Sequence, residues 1–280
     1  MIKGVDISNY QRNLNVRSLT AHGISFAIAK ISEGQTYVDP CFDTFYGEAY
    51  SINLPFGAYV YSHATTVDAA RAEASKAIYL LGGRKLRLGI FIDVEEGKQL
   101  NCPNLTDIVN AFCDTVRASG YLAGAYGSAG RLWAKVSPSS FNGLVWAASW
   151  GLQPRFSCDI WQYTDRAKID GYSGAVDGDY AMSNRFAKLL EGQEIPVEPP
   201  AEAECEVTAK MPILRVGDKG YHVKLLQTAL IGKGYNCGWM GADGEFGEQT
   251  KIGLYEFQKK NGLETDNICG QATWEKLLEV

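Results

Sequence analysis

The sequence predicts an α/β fold, an irregular (β/α)8-like barrel, followed by a small three-helix all-α domain. Three observations carry this. Eight short apolar runs recur through the first 190 residues, and helical patterns fill most of the early gaps between them. A Pro/Glu-rich stretch then interrupts the pattern, and only helical periodicity follows it. Buried strands alternating with helices imply a parallel sheet, and eight strands suggest closure into a barrel. A chain of 280 residues with 46% hydrophobic content can bury one large core and a small satellite.

The candidate strands are 3–7, 25–31, 56–62, 88–94, 122–126, 144–149, 159–163 and 175–180. Each is bounded by polar residues or glycine, which reads as strand punctuation. Helical spacing covers 16–22, 41–52, 67–81, 105–119 and 128–135. Thr66 and Asn104 stand where N-caps belong, and Gly82-Gly83 and Gly120 where helices stop. The last gaps are too short for helices, so loops or hairpins should join the late strands. Residues 191–210 form the expected linker between domains 1–190 and 211–280; residues 193–210 carry five Glu against one Lys. Most of the net charge of −5 therefore lies in the connector, and no basic surface argues for nucleic acid.

Seven cysteines, an odd number without CxxC spacing, argue against a disulfide framework or a zinc site, although Cys237 and Cys269 could bridge within the small domain. No cofactor or metal is expected. The start Met1-Ile2-Lys3-Gly4-Val5-Asp6 has no apolar h-region, and no run approaches a membrane span. The expectation is synthesis in a cytoplasm.

Leu88-Gly89-Ile90-Phe91-Ile92-Asp93-Val94-Glu95 is an apolar run ending in two carboxylates at i, i+2. On a strand these leave the same face, roughly 7 Å apart. In a barrel, reactive groups sit at strand C-terminal ends. Asp6 ends the first strand, Asp93 and Glu95 the fourth, and Asp177 lies in the last. Any one acid reads equally well as a cap or turn residue; four together on one rim point to acid chemistry on a sugar. Tyr59 and Tyr61 share a strand face, as do Trp146 and Ala148. Sugar C–H faces stack on rings, which makes Tyr59, Tyr61, Tyr126, Trp150 and Gln162 the candidate substrate contacts. Glu95 should be held protonated by neighbouring acids, Glu96 should be the solvated one, and His63 a polar rim residue.

With these residues in place, the first domain resembles glycoside hydrolase family 25, the Chalaropsis-type lysozymes. The resemblance runs through Gly4-Val5-Asp6-Ile7-Ser8, Lys30-Ile31-Ser32-Glu33-Gly34, Tyr37-Val38-Asp39-Pro40 and Pro55-Phe56-Gly57-Ala58-Tyr59. It continues with Asp93-Val94-Glu95, Gly124-Ala125-Tyr126, Trp161-Gln162-Tyr163 and Gly174-Ala175-Val176-Asp177. It implies a flattened irregular barrel, with Glu95 as general acid and Asp93, Asp6 and Asp177 as the other active-site acids. It also implies hydrolysis of the β-1,4 bond between N-acetylmuramic acid and N-acetylglucosamine. Tyr59-Val60-Tyr61-Ser62-His63 departs from the family's Tyr-His-Phe/Tyr pattern. Attack by the substrate's own 2-acetamido group and direct attack by water both remain open. A chitinase-like hydrolase and a catalytically silent wall-binding protein are the alternative readings.

The C-terminal segment resembles the peptidoglycan-binding type 1 module through Leu214-Arg215-x-Gly217-Asp218-x-Gly220, Leu226-Gln227, Asp243-Gly244-x-Phe246-Gly247, Phe257-Gln258 and Thr273-Trp274. It contains its own repeat: Asp243, Gly247, Thr250 and Leu254 recur as Asp266, Gly270, Thr273 and Leu277. Three helices, 223–231, 250–260 and 273–278, should bury Val223, Leu226, Leu230, Leu254, Phe257 and Leu277 together. Asn267 replaces the second turn glycine, and Asn tolerates positive φ. Bacterial peptidoglycan is thus the expected partner, as substrate and as anchor. The expected lack of a leader points to a phage or prophage endolysin released onto the wall, with a signal-less bacterial autolysin as the alternative.

Overall fold

The structure is a computed structural model and describes residues 1–193, 211–238 and 241–278. The linker expected at 191–210 falls, apart from its first three residues, outside the described residues. The chain divides into two compact units, Met1–Ala203 and Glu204–Val280.

The first unit is a closed barrel. Its strands are β1 (Ile2–Ile7), β2 (Ile24–Glu33), β3 (Tyr37–Val38), β4 (Phe56–Tyr61), β5 (Ile90–Asp93), β6 (Ala123–Ser128), β7 (Leu144–Ala148), β8 (Ile160–Ala167) and β9 (Val176–Ala181). The order β1-β9-β8-β7-β6-β5-β4-β2-β3, with β1 also pairing β2, closes a ring of eight; β3 is a short appendage on β2. Within the ring, pairing is parallel except for β9, which runs antiparallel between β8 and β1; the appended β3 is also antiparallel to β2. Helices α1 (Phe42–Ser51), α2 (Val67–Leu81), α3 (Gly97–Leu100), α4 (Leu105–Ala118) and α5 (Asn184–Leu190) complete the unit. All eight expected strands are present, and no helix joins the late ones. Among the described residues, no helix is long and apolar enough to cross a membrane.

Each strand alternates between two cores. Ala58 and Val60, Ile90 and Ile92, Ala123 and Ala125, Val145 and Ala147 face outward to the helices in one cluster. Phe26 and Ile28, Phe91, Tyr126, Leu144 and Trp146, and Ile160 fill the barrel interior in another. The interior is close-packed. A Cβ on Gly4 would lie 2.2 Å from the Phe26 ring, and one on Gly124 would lie 2.4 Å from Phe91 and 2.7 Å from the Leu144 carbonyl oxygen. Glycine at these two positions is what makes room for the phenylalanines.

Local chemistry sets the helix ends. Thr66 caps α2 by accepting from the Ala69 N–H at 3.2 Å, and Gly82 ends it in the left-handed conformation. Asn104 occupies the cap position of α4 without a side-chain hydrogen bond. The 16–22 helix is 3-10. The helix expected at 128–135 is absent: Ser128 still belongs to β6, and turns follow. Leu132 and Trp133 are buried there, and the Trp133 indole N–H donates to the Trp146 carbonyl at 3.0 Å. Anchoring two bulky side chains on the barrel wall overrides local helix propensity.

The second unit has α6 (Tyr221–Gly232), α7 (Glu248–Lys260) and α8 (Gln271–Leu278). All six expected core residues lie in one cluster, joined by Phe246 and Trp274. The internal repeat is physical. In the first copy, the Gln227 amide nitrogen lies 2.8 Å from Asp243 Oδ1 and 2.9 Å from Thr250 Oγ1, while its oxygen accepts from the Gly244 N–H. In the second, Gln258 repeats these bonds to Asp266, Thr273 and the Asn267 N–H. Asn267 adopts φ 59°, the counterpart of φ 83° at Gly244. Cys237 and Cys269 are buried free thiols rather than a bridge.

Candidate active site

The inward positions change character along β2, β5 and β8, apolar at the start and polar at the end. Lys30 follows Phe26 and Ile28 on β2, Asp93 follows Phe91 on β5, and Gln162 follows Ile160 on β8. At that C-terminal end opens a cleft of about 570 Å³. Asp6, Asp93, Glu95 and Asp177 line it, as do Tyr59, Tyr61, Tyr126, Trp150 and Gln162, so every site residue expected from the sequence borders one cavity. Ladder register explains the convergence. Asp6 lies opposite Asp177, Tyr61 opposite Asp93, Asp93 opposite Tyr126, and Tyr126 opposite Trp146.

Three findings change the picture drawn from the sequence. First, β5 ends at Asp93, and Glu95 is not on the strand. The ladder continues through the Val94 N–H to the Tyr126 carbonyl at 3.0 Å, and Glu95 stands just past it. Second, Glu96 is not the solvated acid. It is half-buried, 2.9 Å from His63 Nδ1 and 2.8 Å from Lys98, and against the cost of burial the bonds and charges of these partners lower its carboxyl from the ordinary value. Glu95 has more residue surface exposed than Glu96, but its carboxyl tip is enclosed at the mouth of the cleft. Third, carboxylate repulsion does not raise Glu95. Burial of its carboxyl between the walls pushes it up, while a bond to Tyr126 and the charge of Arg131 pull it down. The repulsion falls on Asp93, which is driven well above the ordinary value by burial and then by Glu95.

The sequence reading missed Asp179, Lys30 and Trp146. Asp179 is fully buried and accepts from the Trp146 indole N–H at 2.8 Å. Asp6 sits between Asp179 and Asp177 and is pushed well above the ordinary value by burial, then by those two charges. Asp177 and Asp179 are raised as well, each first by burial, so the three carboxyls share protons rather than ionise together. Gln162 orients this group: its amide donates to Asp6 at 2.9 Å and accepts from Tyr126 at 2.9 Å and from the Trp150 indole at 3.2 Å. Across the cleft, Lys30 pairs with Glu33 and lies 5.0 Å from the Tyr61 ring centre. His63 bridges Glu33, at 3.2 Å, and Glu96. The signals were present: Asp177-Gly178-Asp179 repeats the i, i+2 spacing of Asp93 and Glu95, and Lys30 is a charge inside an apolar run.

No group of three or more His, Cys, Asp or Glu among the described residues is arranged to hold a metal ion. The arrangement offers one raised carboxyl at a cleft mouth, a second buried beside it, and a proton-sharing cluster on the far wall. That is equipment for protonating a leaving oxygen and stabilising positive charge.

Comparison with known proteins agrees with the geometry. The sequence profile of glycosyl hydrolases family 25 matches residues 5–172, more than half of the chain, and that of a peptidoglycan binding domain matches residues 219–277. An autolytic lysozyme of Clostridium acetobutylicum is 23% identical over 275 residues, covering 97% of this chain and 77% of its own. Lysozyme M1 of Streptomyces globisporus is 26% identical over 68% of this chain and 70% of its own. The catalytic domain of endolysin ply40, from a bacteriophage of Listeria monocytogenes, superposes with a TM-score of 0.61 at 24% identity. That match covers 68% of this chain and 97% of the endolysin domain.

Proposed function

This chain belongs to glycosyl hydrolases family 25, and from that premise we infer how it works as a peptidoglycan-hydrolysing muramidase. The observation that carries the reading is the gathering of Asp6, Asp93, Glu95 and Asp177 in one cleft at the strand ends. Glu95 is the general acid that protonates the oxygen leaving between N-acetylmuramic acid and N-acetylglucosamine. Its raised carboxyl keeps a proton closer to neutral pH than an ordinary glutamate does. Asp93 is buried, and its Oδ1 has no hydrogen-bond partner among the described residues. The Asp93 carboxyl, which lines the cleft, orients the 2-acetamido N–H as the acetamido oxygen attacks the anomeric carbon. Asp177 and the Asp6 cluster supply negative charge opposite the developing cation. Tyr59, Tyr61, Tyr126 and Trp150 form the walls on which the sugars stack, with Gln162 positioning the far side.

Residues 211–280 anchor the enzyme, raising its local concentration on an insoluble wall through the 191–210 linker. The setting that best fits these parts is a phage or prophage endolysin, made inside the host and acting on the wall after release. Glu95→Gln tests the catalytic assignment: release of reducing ends from purified peptidoglycan should fall about 10²- to 10⁴-fold with folding intact. Unchanged lysis would remove Glu95 from the mechanism. The anomer formed, read by NMR, tests Asp93, because an inverted product excludes acetamido attack.

A further inference from the structure

The cleft is poorly suited to an anion. Asp6, Asp93, Glu95, Asp165 and Asp177 line it, and its lining lysine, Lys30, is taken up by Glu33. Lys98, on the rim, is paired with Glu96 at 2.8 Å. A neutral polymer of N-acetylglucosamine could enter unopposed. A muramyl glycan carries an O3-lactyl arm that ends in a carboxylate, or in a peptide that bears carboxylates, and needs a cation to receive it.

A second hollow of about 230 Å³ opens beside the first and shares Tyr61 and Glu95 as walls. Val94 and Leu100 give it an apolar side; Ser128 and Arg131 give it a polar one. The turn after β6 places Arg131 there through its backbone N–H to the Ser128 carbonyl at 3.1 Å. The Arg131 side chain forms no ion pair among the described residues, and the residue is exposed. The hollow exceeds several times the ~30 Å³ share of one water, which is room for a lactyl carboxylate. A guanidinium fork with a hydroxyl beside it is the donor set that a carboxylate matches.

We propose that the Arg131–Ser128 hollow is the subsite for the carboxylate on the O3 arm of the muramyl unit, and that it selects acidic muramyl glycans over neutral chitin-type chains. The proposal rests on the muramidase reading and deepens it. The carboxylate is either that of the free lactyl group or one borne by the stem peptide, and the substrates of the test separate these sources.

The test uses the full chain and three muramyl oligosaccharides: one with a free lactyl acid, one with the lactyl capped as its methylamide, and one bearing a stem peptide. The quantity compared is the kcat/KM ratio of acid, or peptide, over methylamide in wild type, Arg131→Gln and Arg131→Lys, with matched melting curves as the folding control. One charge-assisted contact predicts a ratio about tenfold or more above unity in wild type, carried mostly in KM. The ratio should collapse toward unity in Arg131→Gln and recover in part in Arg131→Lys. A preference in the free-acid arm assigns the lactyl carboxylate; a preference in the peptide arm alone assigns the peptide. An active wild type whose ratios do not respond to either substitution overturns the subsite only. A well-folded wild type inert on all three substrates overturns the muramidase reading, and the subsite with it.

Discussion

Asp177→Asn should stabilise this protein at neutral pH while it damages activity. Asp177 lies opposite Asp6 in the β1–β9 ladder, half-buried at the cleft. Burial, then the charge of Asp165, raises its carboxyl from 3.8 to about 6, against the bond from Asp6 that pulls it down. In the unfolded chain the group returns to its ordinary value. Between those two values the folded state binds more protons than the unfolded one, so stability falls as pH rises. The favourable contribution is complete below pH 3.8 and is lost as pH passes about 6. A shift of about two units corresponds to about 3 kcal/mol, and partial solvent access reduces this to about 1.5–3. Asparagine keeps the volume and an oxygen to accept from Asp6, but never has to ionise. Urea denaturation followed by circular dichroism, at pH 4 and pH 7, measures the difference between variant and wild type. The C-terminal unit is identical in both and cancels. The expected result is near-equality at pH 4 and a variant more stable by that margin at pH 7, with wall lysis reduced. A variant that gains nothing between pH 4 and pH 7 would refute the account of this cluster.

Two further outcomes follow from single hydrogen bonds. Tyr126→Phe removes the hydroxyl that pulls Glu95 down, so the Glu95 carboxyl rises further. Because a general acid works protonated, the alkaline limb of the pH–activity profile should move to higher pH; a limb that stays or falls contradicts the assignment. Gln227→Ala, in a residue 1% exposed, strips partners from Asp243, Thr250 and the Gly244 N–H together. It should destabilise the C-terminal unit by about 2–4 kcal/mol and weaken retention on sedimented peptidoglycan, a loss that a calorimetric scan resolves from the barrel transition.

The barrel was legible because its strands are buried on both faces, so each appears as a continuous apolar run between punctuation marks. That same property hid the inward parity. In Ala27-Ile28-Ala29-Lys30-Ile31 nothing but Lys30 marks which face looks into the barrel, and its pairing with Glu33 is a tertiary fact. The 128–135 segment has helical spacing, yet Trp133 and Leu132 anchor it to the wall as turns. The pairing of Glu96 was only half legible, because Lys98 stands two residues on while His63 does not. A strand end uncertain by one or two residues leaves open how two adjacent carboxylates are directed, and only the fold brings His63, from after β4, against Glu96.

The carboxylates of this cleft are therefore not equivalent copies of one group, and the register separates them. Where β1 meets β9, antiparallel pairing sets Asp6 opposite Asp177 and Gly4 opposite Asp179, so a single small interior position admits three carboxyls that must share protons. Where β4, β5 and β6 run parallel, Asp93 has only tyrosines across from it, Tyr61 on one side and Tyr126 on the other. No second acid shares its rung, and after burial Glu95 is the leading charge that raises it, ahead of Glu33 and Asp177. Reversing one strand in an otherwise parallel barrel thus gathers three carboxyls on one wall and leaves Asp93 and Glu95 together on the other. A (β/α)8 barrel with a parallel eighth strand would present each rung's acid from the C-terminal end alone, and the Asp177–Asp6 contact across the ladder would be lost.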